Sequence, residues 1–273
     1  MTTTTRTPTR RRFEIEASSS SSAGPAVPEI AIPQYTRTSI LGIWAAAALP
    51  MGALAWIGAP RLADALGGQL RLTRALIICI AAGLAWQFVL VLALVWREQG
   101  NLRWTTLRDV LWLRSPRSPR TGRTGGRLWL LVLPLTIGLA AEQLIPRLPV
   151  PATRDLGAFL ESDAGQSFLH GAWAWFALIV VMLVLNTVLG EALLFRGFLL
   201  PRMNGAFGDR DWVVNGMLFA AYHLHEPWVI LPSLAGIFTM AYPTKRYRSA
   251  LMGIAVHSGQ TVFFTVAVLT IVL

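Results

Sequence analysis

Five apolar segments, 39–58, 75–96, 128–145, 171–200 and 250–273, are each long enough to cross a bilayer. A backbone N–H or C=O in hydrocarbon finds no water, so each crossing segment must pair its polar groups internally, and separate segments of this length do so as helices. Two shorter apolar stretches, 212–223 and 228–242, are split by Leu224-His225-Glu226-Pro227. They read as two short helices or a broken, partly re-entrant pair that other protein must cover. The expected fold is all-α, a polytopic transmembrane helical bundle of about seven spans.

Composition agrees. Of 273 residues, 54% are hydrophobic and 14% charged, against roughly 25% charged in a soluble domain. The formal net charge is +10. In a soluble protein so much arginine would suggest nucleic acid; between spans it is the loop charge that sets orientation, and no nucleic-acid partner is expected. The single cysteine, Cys79, lies inside an apolar run, which excludes an intrachain disulfide and a cysteine-rich metal site.

Residues 1–37, rich in Thr, Ser, Pro and Arg, read as a disordered tail. Arg10-Arg11-Arg12-Phe13 stands too far from the first span to be a twin-arginine signal, and acts instead as a positive flank. Residues 38–145 form an N-terminal set of spans with an Arg-rich loop, 97–127, and 171–273 form the part that carries chemistry. Within the loop, Trp104, Leu107 and Leu111 at helical spacing suggest a helix lying in the interface, followed by a linker. Lys and Arg counted over alternate loops give nineteen on one side and five on the other. The tail and the Arg-rich loop are therefore expected in the cytoplasm, with the protein integral to a membrane, the plasma membrane in a bacterial host.

Against this background Glu191, His223 and His257 stand out, one ionisable group deep in each of three apolar segments. Such groups are expensive there and mark a functional site by default. At about 1.5 Å per residue, Glu191 lies roughly 13 Å from Leu200, His223 roughly 17 Å from Trp212 and His257 roughly 10 Å from Ala250. All three can meet in one layer nearer the cytoplasmic face. Hydrocarbon disfavours a charged carboxylate, which suits Glu191 to take a proton from water, while imidazoles can orient that water or donate to a developing oxyanion. The trio also matches a His₂Glu zinc set in ligand type. Its spacing is nothing like His-Glu-x-x-His, so the cofactor stays open between a divalent metal such as zinc and none.

Glu191-Ala-Leu-Leu-Phe-Arg196-Gly197, Phe219-Ala-Ala-Tyr-His223 and His257-Ser-Gly-Gln-Thr261 resemble the three ordered motifs of the CPBP family of intramembrane proteases, which includes the type II CAAX prenyl endopeptidases. Those motifs read Glu-Glu-x-x-x-Arg, Phe-x-x-x-His and His-x-x-x-Asn. The resemblance covers 171–273 and implies a hydrolase with Glu191 as base, His223 and His257 as stabilisers, and Arg196 and Phe219 in support. Its substrate would be a CAAX-type or leader-bearing peptide met within the lipid bilayer. Two positions depart from the pattern. Ala192 replaces the second Glu, leaving Arg196 five residues from Glu191 in poorer helical geometry, and Thr261 replaces the Asn with a shorter donor.

The alternatives are structural: Glu191 neutralising Arg196, satisfied core histidines, Arg196 snorkelling to phosphate, and Asn215 and Asn186 as glue between helices. Asn215, Phe219 and His223 share one helix face, which also lets Asn215 support the site. The favoured reading is an intramembrane endopeptidase. Its rivals are a catalytically impaired relative acting as membrane scaffold or immunity protein, and a proton-coupled transporter, against which the lack of an inverted repeat weighs.

Overall fold

The computed structural model describes Met1 and residues 31–146 and 148–273. Most of the expected tail, with its arginine triplet, lies outside the described residues. The chain is an all-α membrane bundle, with no strand among the described residues. Among the described residues, five helices have the length and apolarity to cross a bilayer: α1 (Arg37–Leu66), α2 (Arg71–Gln99), α4 (Gly126–Leu144), α5 (Trp173–Arg202) and α7 (Ala250–Val272). Between α2 and α4 lies α3 (Trp104–Val110), at the position of the expected interfacial helix.

The two shorter stretches fold but are not long spans, so the expected count of about seven is five by length. The first is α6 (Asp211–Tyr222), about 18 Å long at 1.5 Å per residue. The second, 228–242, is broken into the short helix Ile230–Ser233 and a π turn Ile237–Ala241, and ends where the helix Tyr242–Tyr247 begins. α6 and the broken stretch pack tightly. A Cβ added at Gly216 would stand 2.9 Å from the Ile237 Cα, so only glycine admits this approach.

The spans begin and end where local chemistry dictates. Thr36 caps α1, its hydroxyl accepting from Ser39 N at 3.2 Å. Pro50, inside α1, cannot donate to the carbonyl four residues back; the Trp86 indole donates to that carbonyl, Ala46 O, at 2.9 Å. Gly100, at φ 66°, closes α2 by returning its N–H to Trp96 O at 2.8 Å. Ser249 caps α7 by accepting from Met252 N at 3.3 Å and donates to Arg114 O at 2.5 Å. That bond, with Ala250 N donating to Trp112 O at 2.8 Å and Arg117 N to Tyr247 O at 3.0 Å, fastens the expected linker to the start of α7.

α5 is the central helix, and every residue from Glu191 to Leu200 is buried. Its Phe195, Phe198, Leu194 and Leu199 join the apolar core. α4 contributes little to that core; Leu130, Leu133, Ile137 and Leu144 are exposed, as suits a lipid-facing helix. At the Arg-rich end, Arg202 is fully buried and forms a two-pronged pair with Glu98, at 2.9 and 2.6 Å, which also accepts from the Tyr35 hydroxyl. One carboxylate thus joins the ends of α2 and α5 to the entry of α1.

Candidate active site

Glu191 lies on α5 between two π turns, Leu185–Gly190 and Leu193–Leu199. Such widened turns interrupt the 3.6-residue register and recur at functional sites. They also change what spacing means. In an α-helix residues five apart diverge, whereas i→i+5 pairing brings them toward one side. Asn186, Glu191 and Arg196 follow one another at that interval. With its amide nitrogen turned toward Glu191, Asn186 donates to both carboxylate oxygens, at 2.8 and 2.9 Å. Arg196 and, from α6, Tyr222 lie within electrostatic reach of the same carboxylate. The spacing that looked poor for Arg196 on an ideal helix is the one this helix uses.

Glu191 is 3% exposed and Arg196 1%, so Arg196 does not snorkel to lipid. Its Nη1 donates to Asn215 Oδ1, and Asn215 Nδ2 donates to Phe195 O at 2.8 Å. Asn215 therefore joins α6 to α5 and fixes the guanidinium at once. The guanidinium carbon stands 4.6 Å over the Phe219 ring, a cation–π contact. Nη2 has no hydrogen bond within the protein.

Phe219 is the hub. His223 meets its ring edge-on at 5.0 Å, His257 at 6.0 Å and Phe195 at 5.3 Å between centroids. α6 ends just before His223, whose N–H turns back to Ala220 O at 3.2 Å and leaves the Phe219 carbonyl without a helical donor. The His223 ring repairs this, with Nδ1 at 3.0 Å from Phe219 O. A neutral imidazole that donates through Nδ1 presents Nε2 as an acceptor. His257 is buried, and its Nδ1 has no partner within the protein. The two histidines are electrostatic neighbours of each other and of Arg196.

Arg196 thus links Glu191, which lies within its electrostatic reach, to a buried group of Phe219, Asn215, His223 and His257. Thr261 is spent elsewhere. Its hydroxyl lies 2.6 Å from that of Thr187 and donates to Leu183 O at 3.2 Å, an attachment to α5 and not to the carboxylate. Ala192, where the family motif has its second Glu, packs in an apolar cluster with Trp112, Ala250 and Ile254.

Four neighbours escaped the sequence reading. The Gln87 amide donates to the Tyr222 hydroxyl at 2.5 Å. His225 stacks on His223 at 5.5 Å, and Glu226 is within electrostatic reach of Glu191. A lone amide in an apolar helix and two polar residues in the break between two apolar stretches were the available signals.

For a metal, the fit is poor. Among the described residues no three His, Cys, Asp or Glu side chains are grouped to hold one ion.

Residues 173–263 match a family model described as type II CAAX prenyl endopeptidase Rce1-like. That segment holds Glu191, His223 and His257. Neither a curated protein nor a solved structure matches the chain.

Proposed function

From a membrane protein whose residues 173–263 match the type II CAAX prenyl endopeptidase Rce1-like family model, we propose that the activity is hydrolysis of a peptide bond inside the membrane, near the cytoplasmic face. The nucleophile is a water activated by Glu191. The observation that carries this reading is the grouping of Arg196, His223 and His257 around one Phe219 ring, beside a buried carboxylate held by Asn186.

In the proposed reaction the Glu191 carboxylate takes a proton from water while the water oxygen bonds to the scissile carbonyl carbon. His223 Nε2 accepts the water's other hydrogen and so aims its lone pair. The carbonyl oxygen becomes an oxyanion, stabilised by His257 and by the Arg196 charge. When the C–N bond breaks, the proton held on Glu191 passes to the leaving amine, and the carboxylate is restored. Burial strengthens each of these interactions, because no bulk water screens them.

The family match suggests a prenylated CAAX peptide, with leader-bearing peptides as the other class. The positive-inside count supports a cytoplasmic N-terminus and a substrate that enters from that side. The test is cleavage of a fluorogenic farnesylated CAAX peptide by the purified protein beside its Glu191→Gln variant. Cleavage by the parent alone is expected. Cleavage by both would remove Glu191 from the chemistry, and cleavage by neither folded protein would favour the scaffold or immunity role, which the apolar setting of Ala192 fits.

A further inference from the structure

Asn186 stands one π turn before Glu191 on α5, outside the three motifs that carry the family resemblance. Its Nδ2 lies 2.8 Å from Glu191 Oε2 and 2.9 Å from Oε1. A nitrogen nearly equidistant from both oxygens sits astride the carboxylate and restrains the end of that side chain. The donors of Asn186 are therefore spent on a residue of their own helix, which is not what glue between helices would do.

The contact depends on register, and the register has a steric condition. A Cβ added at Gly190 would stand 2.6 Å from the Leu185 carbonyl oxygen, five residues back, and 3.2 Å from the Leu84 carbonyl oxygen of α2. Backbone oxygens cannot yield as a flexible side chain would, so glycine at 190 is what admits a turn of this width with α2 this near. In an ordinary α turn, residues five apart diverge, and Asn186 would point away from Glu191.

Hydrogen counting gives the amide its part. An ionised carboxylate has about four lone-pair sites and no hydrogen. Asn186 meets both oxygens from one side and leaves each with a further lone pair, so a water proton can still be taken up. A neutral amide holds the anion through charge-assisted hydrogen bonds but is no acid, so it does not compete with water for that role. The next residue, Ala192, lies in an apolar cluster and offers neither donor nor acceptor in its side chain.

We propose that Asn186 is a positioning residue for Glu191: the glycine-dependent π turn Leu185–Gly190 sets its amide against both carboxylate oxygens and so holds the base where it activates water. The proposal rests on the endopeptidase reading. It assigns Asn186 a share in the rate and gives the widened turn a purpose, which is to make a five-residue interval a contact.

The experiment uses the full chain and the fluorogenic farnesylated CAAX peptide, with kcat, KM and thermal unfolding measured for each variant. Asn186→Leu is close in shape and has no donor; Asn186→Asp keeps the size and turns acceptors toward the carboxylate. Loss of a hydrogen bond to a charged group corresponds to about a 10- to 100-fold fall in turnover. Both variants should lower kcat by at least that factor with KM nearly unchanged, and Asn186→Gln, which returns the donor on a longer arm, should recover part of the loss. If the leucine variant does not fold, the aspartate variant carries the same test. Parental kcat in a folded leucine or aspartate variant would overturn the proposal while leaving the endopeptidase reading intact, and so would failure of both to fold, which would assign Asn186 to the fold. Failure of the parent to cleave, or cleavage by Glu191→Gln, would instead overturn that reading.

Discussion

The hydroxyls of Thr187 and Thr261 meet at 2.6 Å, and both also reach the Leu183 carbonyl, at 3.1 and 3.2 Å. The position where the family motif places an asparagine is thus a fastening between α7 and α5, four residues before Glu191. Hydrogen bonds between helices in a membrane average about 0.6 kcal/mol. Thr261→Val should therefore lower the thermal unfolding temperature slightly and leave turnover close to parental. A large fall in turnover at unchanged stability would return Thr261 to the role of oxyanion donor.

His223 has two duties that one substitution separates. In His223→Asn the amide nitrogen replaces Nδ1 against the Phe219 carbonyl, so the end of α6 stays satisfied, but nothing replaces Nε2. General acid–base and water-orienting groups are worth about 10²–10⁴ in rate. Turnover should fall within that range while thermal unfolding barely moves. Equal loss of both would assign His223 to structure alone.

Asn215 gives the buried guanidinium of Arg196 a hydrogen-bond acceptor. Leaving a buried charge without its partner costs about 3–5 kcal/mol. Asn215→Leu should reduce the yield of folded protein sharply, and Asn215→Asp, which keeps the acceptor, should restore it. Normal yield and stability in the leucine variant would show that the Phe219 ring alone accommodates the guanidinium.

At the Arg-rich end, burial and the adjacent Glu98 push the Tyr35 hydroxyl from 10.0 up to about 12. The folded protein therefore keeps this proton after the unfolded chain has lost it. The resulting stability is complete below about pH 10 and is lost as the pH rises from there through about 12. Unfolding temperatures in detergent should fall across that window in the parent and fall less in Tyr35→Phe. Parallel profiles would show that Tyr35 does not set the alkaline limit.

The orientation rests on sequence counts alone. Nineteen of the twenty-four basic residues fall on the side expected to be cytoplasmic, although Arg196 and Arg202 are buried and do not face lipid headgroups. A tag at residue 1 should resist protease added outside right-side-out vesicles. Its digestion there would reverse the bundle and place the site nearer the outer face.

The five long spans were legible because hydrocarbon imposes a length and a composition on each segment separately, a constraint read locally without knowing any neighbour. The same holds for Glu191, His223 and His257, whose expense in an apolar run shows wherever the partner is. Relations between residues were another matter. The facing of Asn186, Glu191 and Arg196 depends on π turns, and the contact of Gln87 with Tyr222 crosses 135 positions. A helix period counted from sequence assumes 3.6 residues per turn, and only packing against α2 and α7 decides where the turn widens. Where the Thr261 hydroxyl is spent is decided by packing as well: it ties α7 to α5 through Thr187 and the Leu183 carbonyl, a contact between distant positions that no helix period counts.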